Sequence, residues 1–329
     1  MRSLMMTGPS RGVDRTVIRE IEEPRPGPGQ VTVGVAHAGI NFVDVMARRG
    51  DAGYGGTWPY APGVEVSGVV REVGPGVTDL TVGQRVAAFT AGGGLAEVAL
   101  ARAAHTVPVP DRVPSAVAAA APLMLTTALL LLCDAARFRP GETVLMHSAS
   151  GGVGSAVAQL VQALGGGLRI GTVGRPGKVA SALKSGYDVA VTRSEDLAEA
   201  VRAATGGAGA DIVLDPLGTA MLETDLALTA PGGRIVLFGN AGGGEQAPLP
   251  PAGRLIGGNL AISGFSVSGL WATAPHRASA GLRRVLDLIA EGRLDITPTE
   301  VGSLADVPAV HQLLAEGRGD GKYVARLQG

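Results

Sequence analysis

The chain has 329 residues, 51 of them Gly and 21 Pro, with only 3% aromatic and 17% charged residues and a formal net charge of −1. An apolar fraction of 46% supplies a real core and excludes a disordered chain, while the absence of a G-X-Y period excludes collagen. Near-neutral charge argues against nucleic acid as a partner, and the single Cys133 allows neither an intrachain disulfide nor a cysteine-rich zinc site.

From the N-terminus, Met1–Arg15 holds no apolar run long enough for a secretory signal, so the expected compartment is the cytoplasm. The first part reads as β. Thr16–Ile21, Gln30–Ala36, Glu65–Val73 and Arg85–Thr90 are short β-rich runs between Gly/Pro turns such as Pro26–Gly29 and Gly74–Gly76. Such runs predict a small barrel or sandwich. Asn41–Gly50 predicts a short helix. Ala116 to Cys133 carries no charge over 18 residues. Pro122, Thr126 and Thr127 interrupt it and no basic cluster flanks it, so buried helices are expected rather than a membrane span. Ser115 is the expected cap of the first helix and Pro122 its end. A second helix is expected over Thr126–Phe138.

The rhythm then changes. Strands at Thr143–His147, Arg169–Val173, Asp188–Val191, Ile212–Asp215, Arg234–Gly239 and Asn259–Phe265 alternate with helices at Ser155–Leu164, Lys178–Lys184, Asp196–Ala204 and Met221–Leu228. That alternation predicts βαβ units around a parallel sheet. Helices His276–Glu291 and Pro308–Glu316 and a strand Lys322–Leu327 close the chain. The expected division is 1–123 as a β-rich domain, 124–266 as an α/β domain, and 267–329 returning to the first.

The strongest local signal is Val144–Gly154, a strand followed at once by a Gly-rich turn and a helix. Glycines let backbone N–H groups approach a pyrophosphate, and the helix N-terminus favours its charge. Ser150, Gly151, Gly152 and Val153 are the candidate cradle. The next strand ends Gly171–Lys178 without the carboxylate that would accept adenosine ribose hydroxyls. Gly174 leaves room for a 2′-phosphate, and Arg175 and Lys178 can neutralise it. The expected cofactor is therefore NADPH rather than NADH. The alternative is that the two cations are solvated loop charges.

In order and spacing, several motifs match a known family: Gly39–Asp44, Pro62–Gly68, Val82–Val86, Thr126–Ala128, His147–Gly154, Gly171–Gly174 with Lys178, and Phe238–Asn240. The chain resembles the zinc-independent quinone oxidoreductases of the medium-chain dehydrogenase/reductase superfamily, which are similar to ζ-crystallin and to the enoyl reductase domains of polyketide synthases. The resemblance implies an α/β fold class: a GroES-like β-barrel catalytic domain plus a Rossmann doubly wound parallel-sheet cofactor domain. It also implies a homodimer through the edge strand near 259–265. Thr127, Gly239, Asn240 and Lys322 are implied near the cofactor, although an exposed Lys at a strand start is an equal reading of Lys322.

Zinc-dependent relatives carry Cys where this chain has Asn41 and a Gly-His-Glu run where it has Gly63-Val64-Glu65. No metal is expected, because Asn41 and Val64 are poor zinc ligands. Without a Lewis acid the substrate must itself be electron-poor, as a quinone or conjugated carbonyl is. A developing oxyanion then needs a donor, and Asn41 is the first candidate, the alternative being that it only holds a loop. Tyr54 and Tyr60, both in the Gly50–Pro62 loop, are further candidates. Leu95 stands where the family commonly has Tyr and is expected to widen a pocket wall; Trp58, Trp271 and Phe265 line a pocket or simply pack. The leading expectation is an NADPH-dependent reductase transferring hydride to a small-molecule quinone. The alternatives are an enoyl or enone reductase and a non-catalytic NADPH-binding structural protein.

Overall fold

A computed structural model describes residues 1–193 and 197–327. The chain forms two compact units, Met1–Thr126 with Val267–Gly329, and Thr127–Ser266.

In chain order the strands of the first segment are β1 (Arg2–Met6), β2 (Thr16–Glu20), β3 (Gln30–Ile40), β4 (Glu65–Val73), β5 (Arg85–Phe89), β6 (Val98–Arg102) and β7 (Thr106–Pro108). Helix α1 (Phe42–Arg49) follows β3 directly. Its start is fixed by Asp44, whose carboxylate accepts the Asn41 N–H at 2.9 Å and the Gly63 N–H at 3.0 Å. It ends at Gly50, whose φ of 76° suits the left-handed turn.

The four runs anticipated as β are all strands, and β3 extends four residues further than expected, to Ile40. Its long valine-rich stretch (Val31, Val33, Val35) is buried and pairs with both β4 and β6. Strands β1 and β6 carry mainly Met, Leu and Ala rather than β-branched runs, and β7 is only three residues long and ends in Pro108, which is why local propensity missed them.

The stretch after Pro114 departs from expectation. Helix α2 covers only Ser115–Ala118, and Pro114, not Ser115, is its cap. Pro122 does not end the helical path. It sits at the start of a π-type turn, Ala121–Leu125, that runs on into α3 (Thr126–Leu130) and a second such turn, Leu131–Ala135. Pro lacks an N–H to lose, and the next donor, Leu123 N–H, is satisfied at 2.7 Å by the Glu65 carboxylate.

The second unit then alternates β8 (Val144–His147), α4 (Gly152–Ala163), β9 (Arg169–Val173), α5 (Val179–Lys184), β10 (Val189–Thr192), α6 (Leu197–Thr205), β11 (Ala210–Asp215), α7 (Leu222–Leu228), β12 (Thr229–Leu237), α8 (Ala252–Gly258) and β13 (Ala261–Gly264). The expected first residue of α6, Asp196, lies outside the described residues. All six strands pair in parallel in the order β10-β9-β8-β11-β12-β13. That order reverses between β8 and β11, the crevice where such sheets bind dinucleotides. At the far edge, among the described residues, β13 pairs with β12 alone.

Helices α9 (Val267–Thr273), α10 (Pro275–Ala290) and α11 (Val307–Ala315) and strands β14 (Thr299–Val301) and β15 (Tyr323–Arg326) belong to the first unit. Strand β15 pairs antiparallel with the end of β3, setting Tyr323 against Ile40. The result is a seven-stranded sheet, β14-β15-β3-β4-β5-β7 with β6 also on β3.

The expectation that Leu95 widens a pocket wall is corrected here, and of the two readings of Trp271, pocket wall or packing, the structure shows packing. Leu95 is fully buried and packs in the β core with Leu4, Val33 and Val66. Trp271 is likewise fully buried: its ring stacks on Phe89 at 5.3 Å and its indole N–H donates to Pro122 O at 3.3 Å. Among the described residues no helix is long and apolar enough to cross a membrane.

Candidate functional site

The Gly-rich loop after β8 has the geometry of a phosphate cradle. Gly151 precedes the first turn of α4, whose leading N–H groups, from Gly152, Val153 and Gly154, have no carbonyl partner within the helix. A Cβ on Gly154 would stand 2.6 Å from both Ser148 O and Ala149 O, so only glycine fits. Ser148 takes a left-handed φ of 57° to make the turn. Ser150 is buried beside it. The loop is braced from behind by Tyr187, whose hydroxyl donates to Gly154 O at 2.6 Å.

Beneath this loop lies a buried polar group that the sequence did not suggest. His147 ends β8. Its Nε2–H donates to Asp225 Oδ1 at 2.7 Å, and its Nδ1 meets Thr172 Oγ1 at 2.7 Å. All three side chains are buried. Asp215 ends β11 nearby. Burial, and then the Asp225 charge, push its carboxyl up to about 6.

Further along the same sheet end, Asn240 donates to Gly244 O at 3.1 Å, closing the 240–244 loop on itself. A Cβ on Gly218 would lie 2.6 Å from Asn240 Oδ1, and one on Gly239 2.8 Å from Pro216 O. The two loops are thus in close contact at glycines. The expected opening at Gly174 is not open. The Arg193 guanidinium lies over it, with Nη2 2.8 Å from the place a Cβ would take. Arg175 and Lys178 flank this point, and each already engages a partner.

In the first unit the structure joins Asn41, Glu65 and Lys322. Lys322 is buried, not an exposed residue at a strand start. Its ammonium donates to Ile40 O at 3.0 Å, Asn41 Oδ1 at 2.6 Å and Glu65 Oε1 at 2.5 Å, so all three protons are used. The Asn41 amide donates to Glu65 Oε1 at 2.9 Å and Gly39 O at 3.3 Å. Both its protons are also used, and neither points to a substrate. Glu65 completes the set through Oε2, which takes the Leu123 N–H. A Cβ on Gly39 would lie 2.3 Å from Glu65 Oε1, so this cluster requires glycine there.

Tyr60 is half-buried near Asp44, and its ring meets Trp58 edge-on at 6.3 Å. Burial, with a contribution from the Asp44 charge, pushes its phenol up to about 12. Tyr54 is half-buried in the same loop. Thr127 is buried on α3.

This donor set does not fit a catalytic zinc. The carboxylate that a metal would need is held by an ammonium, an amide and a backbone N–H. Among the described residues no three His, Cys, Asp or Glu side chains converge as a metal site requires.

The architecture and the loop match known proteins. Residues 27–111 match the alcohol dehydrogenase GroES-like domain, and residues 152–291 match a family described as zinc-binding dehydrogenase. A probable quinone oxidoreductase of Schizosaccharomyces pombe is 36% identical, over 73% of this chain and 71% of its own length. The chain belongs to the medium-chain dehydrogenase/reductase superfamily, in its zinc-independent quinone oxidoreductase group.

Among solved members of the superfamily, the Escherichia coli quinone oxidoreductase complexed with NADPH superposes with a TM-score of 0.90 at 28% identity, covering 99% of this chain and 100% of that one. A phenolphthiocerol/phthiocerol polyketide synthase of Mycobacterium tuberculosis is 32% identical over 98% of this chain, which spans 14% of that protein's length. The zinc-binding description spans residues 152–291, so Asn41 and Glu65 lie outside it.

Proposed function

We propose that this protein is an NADPH-dependent reductase that delivers hydride to a quinone without a metal. The observation that carries the reading is the occupied carboxylate: Lys322 and Asn41 hold Glu65 where zinc-dependent relatives use that region for metal. A carbonyl that no Lewis acid polarises must already be electron-poor, and a quinone is.

Bound NADPH would supply the hydride. The chain's part is binding, orientation and charge. The α4 N-terminus and Gly151–Gly154 take the pyrophosphate. Gly239, Asn240 and Thr127 belong to the cofactor site. Arg175 and Lys178 bring positive charge to the end of β9. Tyr60 stays protonated across the working pH range and donates a hydrogen bond to the nascent oxyanion, with Tyr54 as its loop neighbour. Asn41 acts by holding Lys322 and Glu65 in place. The protein works in the cytoplasm as a homodimer that pairs through β13, whose outer edge and the nearby Ile256, 75% exposed, have no cover in the single chain among the described residues.

The test is NADPH consumption with a panel of quinones, conjugated enones and enoyl thioesters. Quinone turnover with kcat/KM well above that for the enones supports the reading. Preference for the thioester moves the protein to the enoyl reductase alternative, which the polyketide synthase relative favours. Tight NADPH binding with no consumption by any of them sinks the enzyme reading. Light scattering at the mass of one chain would remove the dimer.

A further inference from the structure

His147 and Thr172 are registered partners across β8 and β9, and Asp225 reaches the imidazole from α7. All three are fully buried, so none of them offers an atom to a cofactor. The Asp225 Oδ2 atom and, on β11, Asp215 Oδ2 are buried without a hydrogen-bond partner among the described residues. Leaving a buried acceptor unpaired is costly. Apolar residues of similar volume often hold a core at least as well as a buried charged group. What a polar string adds here is direction.

A carboxylate only accepts, so Asp225 places the ring proton on Nε2 and turns Nδ1 towards the Thr172 hydroxyl. Thr172 is in turn tied to the phosphate loop: its carbonyl oxygen accepts the Ala149 N–H at 2.9 Å. His147 is bonded directly to Ser148, which makes the left-handed turn. The string therefore grips Ser148 and Ala149, the two residues whose carbonyl oxygens flank Gly154. On β9, Gly171 completes the fit, since a Cβ there would stand 2.6 Å from Ala149 Cβ. We propose that Asp225 and Thr172 are positioning residues for dinucleotide binding: acting through the His147 ring, they set the loop against β9 and so aim the leading N–H groups of α4 at the pyrophosphate. The proposal rests on the NADPH reading above and deepens it.

Thr172→Val removes the hydroxyl and keeps the side-chain shape, whereas Thr172→Ser keeps the hydroxyl. NADPH and NADH affinities of these variants, of Asp225→Ala and of the Asp225→Ala/Thr172→Val double variant are measured by fluorescence titration. Loss of one such hydrogen bond should weaken cofactor binding about fivefold in Thr172→Val. The factor should be the same for NADPH and NADH, because they share the pyrophosphate. Thr172→Ser should bind as the parent does. Asp225→Ala should weaken both cofactors, and the double variant should lose no more than the worse single one, because the two residues act through one ring. In 15N spectra of the unaltered protein the His147 proton should sit on Nε2.

Unchanged affinity in Thr172→Val overturns the proposal. An equal loss in Thr172→Val and Thr172→Ser also overturns it, since the hydroxyl is then not the agent. So do losses that add in the double variant, or a ring proton on Nδ1. Thr172→Val carries the test where Asp225→Ala fails to fold, since valine matches threonine in shape. An unaltered protein that binds neither cofactor removes the NADPH reading, and this assignment with it. One that binds both and is indifferent to Thr172→Val loses the assignment alone.

Discussion

Lys322 Nζ lies 2.5 Å from Glu65 Oε1, and both side chains are buried. The pair joins β15 to the start of β4 and, through Asn41, to the start of α1. It also completes the helical path around Pro122, because the second Glu65 oxygen holds Leu123. The two partners lie 257 residues apart in sequence, and through them the segments around Asn41, Glu65, Leu123 and Lys322 are held together.

Removing one partner of such a pair leaves a buried charge uncompensated. Lys322→Met should therefore destabilise the protein by about 3–5 kcal/mol in urea unfolding. The double variant Lys322→Met/Glu65→Gln should recover a large part of that loss, since no charge is stranded. If the double variant is as unstable as Lys322→Met alone, the pair is not the source of the cost.

Asp215 gives stability a pH dependence of opposite sign to a salt-bridged carboxylate. Burial and Asp225 raise its carboxyl from the usual range to about 6. The folded state then binds more protons than the unfolded state between about pH 4 and 6, so this group lowers stability as pH rises through that window. Above pH 6 the full penalty applies. Asp215→Asn should be more stable than the parent at pH 7.5 by roughly 1–3 kcal/mol, since each tenfold change in proton affinity is worth about 1.4 kcal/mol. At pH 4 the two should converge. Chemical unfolding at both pH values checks this, and an equal difference at both would contradict the assignment.

What the sequence made legible was local. Glu65–Val73 is a valine-rich run between turns, and it is strand β4 with those bounds. Val144–Gly154 carries strand, turn and helix signals within eleven residues, and the cradle is built there. What it hid was pairing at a distance. Nothing near Lys322 announces Glu65, because their contact depends on β15 lying antiparallel against β3. Asn41 looked like a free donor for the same reason: the groups that consume its amide arrive from β4 and from the C-terminal segment. Pro122 looked like a stop because the carboxylate that replaces the helical partner of Leu123 comes from residue 65.

Tyr60 and Asn41 should separate in kinetics. A phenol pushed up to about 12 remains a neutral donor, so loss of its hydroxyl removes transition-state stabilisation without altering the pH profile below pH 10. Tyr60→Phe should reduce kcat/KM for a quinone about 10- to 100-fold while NADPH affinity holds. Asn41→Ala should instead lower stability by about 1–3 kcal/mol, because it strands one Lys322 proton and part of Glu65. An unchanged kcat/KM in Tyr60→Phe would remove Tyr60 from the reaction.

Gly154 offers the most direct test of the phosphate cradle. Its missing side chain lies between two backbone carbonyl oxygens, Ser148 O and Ala149 O, each 2.6 Å away. Neither can swing aside as a side chain can, so Gly154→Ala must shift the loop or the helix start. A shift there rotates the N–H groups that face the pyrophosphate, and NADPH affinity should fall tenfold or more. NADH should weaken to the same degree, because both cofactors share the pyrophosphate. Gly253→Ala provides the contrast. Gly253 lies on helix α8 with nothing within 4 Å of a Cβ, so alanine should leave both affinities unchanged and raise stability by up to about 1 kcal/mol. Fluorescence titration of the two cofactors against the two variants reads the difference. A Gly154→Ala protein that binds NADPH as the parent does would show that the pyrophosphate rests elsewhere.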